Sequence, residues 1–164
     1  MSIEIGNVSD TNTYQTALTE GLKNSVLEML GMMAMAEVAY TGHKELDSFS
    51  VSGPATGLMV MTGQHRTVVA ICMPDALLRD FVAGITGSTP DALTAQDLGD
   101  GIGEMINMIC GGMKTKLASP DIELLPPMTV IGDDYAADWK TDQKTIALEF
   151  ETEGGAFAVY ACTL

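Results

Sequence analysis

Between Tyr14 and Tyr40 the apolar residues Leu18, Leu22, Val26, Met29, Leu30, Met33 and Ala36 recur at threes and fours, the spacing of one face of an α-helix. The pattern predicts a long helix there, with Gly42 as its C-terminal stop. The periodicity then changes. Leu58–Thr62 and Thr67–Met73 are rich in β-formers, and Gly63-Gln64-His65-Arg66 between them predicts a hairpin loop. A further short strand fits Phe49–Val51. Pro74 suits the first turn of a short helix over Asp75–Thr86, which Gly87 ends. Ser88-Thr89-Pro90 reads as a loop.

A second long helix follows. Thr94 is placed to cap it, with Asp97 three residues on completing a capping-box pattern. It should run to about Ala118 and stop before Ser119-Pro120, because the residue before a proline disfavours the α conformation. Its expected length is on the order of 36 Å. Met128–Ile131 predicts a short strand. In Thr145–Glu151, Ile146, Leu148 and Phe150 alternate inward against Ala147, Glu149 and Glu151 outward. Glu153-Gly154-Gly155 turns the chain, and Ala156–Leu164 returns as the last strand. The whole predicts an α+β domain, two long helices packed on a mainly antiparallel sheet. Residues 13–164 form this single domain behind a polar N-terminal arm, residues 1–12.

The two long helices echo each other without a gap. Ser25–Met33 superposes on Gly101–Ile109, placing Glu28 on Glu104, Met29 on Met105, Met32 on Met108 and Gly31 on Asn107. Two buried helices with a shared apolar period would give this echo. So would an ancient duplication of which only the second copy keeps a polar end.

Charge narrows the partners. The 22 acidic side chains outnumber the 8 basic ones among 164 residues, a net charge of −14. Such a chain is repelled by phosphate backbones and by anionic headgroups, so neither nucleic acid nor membrane is an expected partner. An apolar fraction of 46% against 18% charged excludes a disordered acidic tail. Aromatic residues are scarce while Met occurs 12 times, so the core should be built from Met, Leu, Ile, Val and Ala. Cys72, Cys110 and Cys162 are odd in number and widely spaced, which predicts reduced, buried thiols and a cytoplasmic setting. No secretory signal is visible at the N-terminus. The longest apolar stretch, Met29–Ala36, is too short to span a bilayer.

At 100° per residue, Asp100, Glu104 and Asn107 lie within about 60° of each other on the second helix. Leu98, Ile102, Met105, Ile109 and Met113 lie opposite. Continued, the polar stripe meets Gly111 and Lys114. The same helix holds Gly99, Gly101, Gly103, Gly111 and Gly112, each costing about 1 kcal/mol relative to alanine. These positions should therefore lie against a closely approaching surface, a neighbouring helix or a docked partner. Spacing alone is a weak signal, since a solvated helix face shows it equally well. Other motifs are missing. Gly99-x-Gly101-x-Gly103 follows no strand and is no dinucleotide fingerprint. Cys110–Thr115 lacks the Gly-Lys-Ser/Thr of a phosphate loop. His43 and His65 fall in expected loops without zinc-ligand spacing, so no metal site is expected, and no nucleophile stands beside an evident base.

From about residue 20 onward the chain resembles the CheC/CheX/FliY phosphatases, the CheX branch in particular. The resemblance rests on the helix Leu22–Val38, on Thr56-Gly57-Leu58-Met59-Val60 and Val68-Val69-Ala70-Ile71, and on the run Asp100 to Gly112. Leu125-Pro126-Pro127-Met128-Thr129-Val130-Ile131-Gly132 and the ending from Phe150 to Phe157 complete it. Asp100, Glu104 and Asn107 match the family's motif by position, and Pro127 matches its later proline across a slightly shorter gap. The resemblance implies a response-regulator phosphatase that hydrolyses the aspartyl phosphate of phosphorylated CheY or a related receiver domain. Asn107 would position the attacking water and Glu104 would pair with the regulator's lysine. Asp100, Glu104, Gly111 and Lys114 would form the partner-binding surface. Gly31 stands where a first-site Asn would be, so one site is expected on a pseudo-duplicated fold. Homodimers formed through their sheets are also implied. No cofactor is expected on this chain, the Mg²⁺ belonging to the partner regulator.

Elementary electrostatics agrees. Phosphoryl transfer needs positive charge around the departing group, and the stripe offers only Lys114. It could act only on a partner that already carries Mg²⁺ and a cation. A non-catalytic adaptor that binds receivers through the same fold stays open as an alternative. Burial of Asn107 within its own subunit would instead point to an acidic dimeric scaffold unrelated to signalling.

Overall fold

The computed structural model describes residues 11–34, 37–117 and 121–164. In chain order the elements are α1 (Thr11–Ala34), β1 (Ala39–Leu46), β2 (Phe49–Ser52), β3 (Ala55–Thr62) and β4 (Thr67–Met73). Then follow α2 (Asp75–Thr86), a 3-10 turn (Pro90–Ala92), α3 (Ala95–Leu117), β5 (Glu123–Leu124), β6 (Met128–Ile131), β7 (Ala136–Trp139), β8 (Thr145–Thr152) and β9 (Gly155–Thr163). An antiparallel sheet runs β1-β8-β9-β4-β3-β5, and β6 also pairs with β3. The three helices pack on it, and the α+β architecture is as expected.

The apolar stripe of α1 (Leu18, Leu22, Val26, Leu30) is buried against the same core as Met59, Ile71, Leu148, Phe150 and Val159 of the sheet. The other sheet face has its own cluster. Strands β2 and β7 pair as a separate ribbon, and Phe49 and Val51 bury there with Val68, Ala70, Cys72 and Cys162. All three cysteines are buried and free. No described helix is long and apolar enough to cross a membrane.

The structure corrects several expectations. The first helix ends near Ala34, not Tyr40, and Gly42 is no helix stop: it sits inside β1, at φ 151°, where the β1–β8 register shifts. His43 is therefore on a strand, not in a loop. Glu37-Val38-Ala39-Tyr40 happens to continue the helical period, but Tyr40 packs on Phe150 at 5.6 Å between ring centroids. Strand β1 is an edge strand with little burial, so it carries almost no apolar alternation to read. The short β7 is equally exposed and was not expected. Ala147, expected outward, is buried, because on the second face it lies in register between Lys44 and Tyr160. The expected arm, residues 1–12, lies mostly outside the described residues, although α1 already begins at Thr11. The expected helix end at Ala118 also lies outside them.

Candidate functional site

Helix α3 starts where its capping residues dictate. The Thr94 backbone N–H donates to the Asp97 carboxylate at 2.8 Å, and the Asp97 N–H donates to the Thr94 hydroxyl at 3.2 Å. The loop before it is pinned by Arg79 of α2, which pairs with Asp75 at 2.6 Å and donates to the Leu93 carbonyl at 3.0 Å. Hydrogen bonds from the Thr94 backbone and hydroxyl hold the Asp97 carboxyl below its ordinary range. A carboxylate depressed in the folded state adds stability above its unfolded pKa and loses it as pH falls through the folded one. Asp97→Asn should therefore lower the urea midpoint at neutral pH. The gap to wild type should close as the pH is taken below the carboxylate range; a gap independent of pH would contradict the assignment.

Leu98, Ile102, Met105, Ile106, Ile109, Met113 and Leu117 bury one face of α3. Each such side chain gains roughly 1.5–3 kcal/mol on burial, so the face more than offsets the helix-propensity cost of five glycines. The opposite face is open. Asp100, Glu104 and Asn107 are all exposed, with Gly111 and Lys114 half-buried further along. Among the described residues, none forms a hydrogen bond or ion pair with the side chains of Asp100, Glu104, Asn107 or Lys114. Asn107 is thus not buried in its own subunit, the arrangement that would have pointed to an unrelated scaffold.

The echoing positions on α1 differ. Glu28, which superposes on Glu104, is bonded at 2.5 Å to Lys116 of α3. That ammonium holds the Glu28 carboxyl below its usual range. Gly31 replaces the amide, and Met32 stands exposed beside it. The α1 copy therefore lacks an amide and has its charge already matched.

The glycines of α3 sort by what approaches them. A Cβ at Gly101 would collide with Val82 of α2, and one at Gly112 would collide with Ser25 of α1. Ser25 is held there by donating to the Ile109 carbonyl at 2.7 Å. Cβ atoms at Gly99 and Gly103 would stand 3.6 Å and 3.2 Å from Thr129 on β6. The helix also lies close on the sheet, where a Cβ at Gly57 of β3 would come to 2.9 Å from the Ile102 carbonyl oxygen. Close neighbours thus explain Gly101, Gly103 and Gly112, while the contact at Gly99 is of ordinary van der Waals length. At Gly111 a Cβ would meet nothing within 4 Å among the described residues. Gly101→Ala should lower stability despite alanine's better propensity, since overpacking costs about 1–3 kcal/mol. A raised urea midpoint would contradict the packing.

Pro127, the later proline of the motif, is brought to the same helix. Its ring carbon would lie 4.0 Å from a Cβ at Gly103. The segment Leu125–Met128 is exposed beside the stripe. It is fixed by the Leu125 N–H donating to the Val60 carbonyl at 2.9 Å and by Met128 pairing with Leu58. Its place at the site was not legible from spacing, because it depends on pairing with β3, far away in the chain. Lys116, which occupies Glu28, was missed for the same reason.

Chemically the stripe has one amide, two carboxylates and one ammonium. It presents no ring of cations that could hold a phosphoryl group. Cysteine supplies no nucleophile at this site: burial pushes the Cys110 thiol up to about 12. Among the described residues no group of three or more His, Cys, Asp or Glu is placed to hold a metal ion.

Comparison with known proteins places the chain in a family. The family model for chemotaxis phosphatase CheX matches residues 55–151, a span that includes the whole stripe. No curated protein matches the chain. Among solved structures, the chemotaxis protein CheX from Vibrio vulnificus superposes with a TM-score of 0.79 at 24% identity, covering 90% of this chain and 99% of that one. CheX from Desulfovibrio desulfuricans gives 0.80 at 20% identity, covering 90% and 99%. A CheX–CheY–BeF3–Mg²⁺ complex from Borrelia burgdorferi gives 0.68 at 14% identity, covering 89% and 97%. With its sequence match over more than half the chain and its fold shared with these proteins over about 90% of its length, this chain belongs to the chemotaxis phosphatase CheX family.

Proposed function

We propose that the chain accelerates hydrolysis of the aspartyl phosphate on a CheY-like receiver domain, with Asn107 positioning the attacking water and Glu104 docking on the receiver's lysine. The observation that carries this reading is the pair itself. Glu104 and Asn107 project from adjacent positions on the exposed stripe of α3, with no partner among the described residues. An unpaired carboxylate seeks a cation, and the only ammonium on the stripe is Lys114, well below it. The amide donates and accepts, so it can hold a water by both kinds of bond. It does not titrate, so it orients the water without taking its proton. Water attacks the phosphorus, the bond from phosphorus to the aspartyl oxygen breaks, and inorganic phosphate leaves with the proton. Holding one water in line can lower the barrier by several kcal/mol. The GTPase glutamine plays a comparable part.

Asp100 adds polar support at the edge of the contact, and Gly111 and Lys114 extend it. The Mg²⁺ belongs to the receiver, and this chain binds no cofactor. The exposed edge of β1 leaves room for the sheet-to-sheet homodimer that the resemblance implies. The reading is tested by following acyl-phosphate decay on each receiver of the source organism, with and without the chain. Faster decay of at least one receiver is expected. Binding without faster decay would establish the adaptor, and neither binding nor faster decay across the set would reject the reading.

A further inference from the structure

Gly111 stands apart from the other glycines of its helix. No described element approaches it, since a Cβ there would meet nothing within 4 Å among the described residues. Its backbone is helical and is not among the glycines with positive φ. Neither a turn nor internal packing therefore calls for glycine, and the helix would be more stable with alanine. Gly111 lies four residues beyond Asn107 on the same face, where residues of a helix are neighbours about 6 Å apart.

We propose, building on the phosphatase reading above, that Gly111 is a clearance position: the receiver's backbone passes directly against α3 there. The side chain of Asn107 is short. It can reach a phosphoryl group recessed in another protein only if the rim of that site comes into contact with the helix itself. One turn away, that rim lies over Gly111. A Cβ projects about 1.5 Å from the helix backbone and would hold the rim off by a comparable distance. A misplacement of about 1 Å at the reacting atoms can reduce the rate on the order of 100-fold. Gly111 is thus a positioning residue, acting through the depth to which Asn107 is inserted, and it selects partners whose site rim is a bare stretch of main chain.

The test uses one substitution with two readouts of opposite sign. Gly111→Ala should raise the melting temperature by about 2–4 °C, as expected for removing a helix-interior glycine from a chain of this size. It should also lower kcat/KM on the responsive receiver roughly 10- to 100-fold, with kcat falling as well as KM rising. Gly111→Leu should abolish acceleration while the fold is kept, as read by an unchanged far-ultraviolet spectrum. Wild-type kinetics in both variants would overturn the clearance role, and so would a loss of activity that merely follows a loss of stability. If wild type accelerates no receiver, the phosphatase reading itself fails and the clearance role falls with it. If wild type is active and Gly111→Leu equals it, only the clearance role fails.

Discussion

Asn107→Ala will abolish the acceleration of acyl-phosphate hydrolysis while leaving receiver binding nearly intact. The side chain is exposed and forms no hydrogen bond or ion pair with described residues, so its removal should change folding stability by no more than about 0.5 kcal/mol. Removing one preorganised hydrogen-bonding group from a reaction centre typically reduces kcat about 10²–10³-fold. A loss of that size, with KM little changed, is the signature of an interaction made in the transition state and not in the ground state. The measurement is single-turnover decay of the phosphorylated receiver under saturating chain, paired with a titration of the receiver locked in its phosphorylated-like form by beryllofluoride and Mg²⁺. Full activity in Asn107→Ala would reassign the water-positioning role.

Glu104→Lys should have the complementary effect. Its ammonium would face the receiver's lysine, and like-charge juxtaposition at an interface costs several kcal/mol, enough to weaken binding roughly 100-fold or more. Added salt should recover part of the loss, since exposed charges are screened within about 8–10 Å at moderate ionic strength. Glu104→Gln removes the attraction without adding repulsion and should fall between the two. The equivalent change on α1, Glu28→Lys, should leave receiver binding unchanged, because Glu28 is already engaged by Lys116. Binding by Glu104→Lys at wild-type affinity would show that this carboxylate does not meet the receiver.

The contrast between α1 and α3 shows what a reader of the chain alone can and cannot see. The 3.6-residue period placed both long helices, and the Thr94–Asp97 pattern located the start of α3 to the residue, because capping is local chemistry. The buried strands β3, β4, β8 and β9 were legible for the same reason: burial writes itself into apolar side chains. Edge strand β1 and the exposed β7 were not, because their pairing is made by backbone hydrogen bonds that leave no pattern of side chains. At the site, helical geometry alone put Asp100, Glu104 and Asn107 on one face, and the structure exposes all three. The reasons for the glycines were hidden, since each depends on which element packs where: Val82 over Gly101, Ser25 over Gly112, Thr129 beside Gly103. Only with those neighbours in place does Gly111 emerge as the exception.

With 22 acids against 8 bases, and with a stripe carrying Asp100 and Glu104, the chain repels a free phosphate. Acting as proposed, it must meet its phosphoryl group already neutralised by a partner's cations. That requirement separates a catalyst acting on another protein's active site from an enzyme with a phosphate site of its own. The most direct test is therefore phosphate release from a phosphorylated receiver in excess over the chain, with Mg²⁺ present. Many phosphates should be released per chain, at a rate that Asn107→Ala returns to the receiver's own slow decay. Unchanged or slower decay despite binding would contradict the proposed activity, and would make this family member an adaptor that holds the receiver without acting on it.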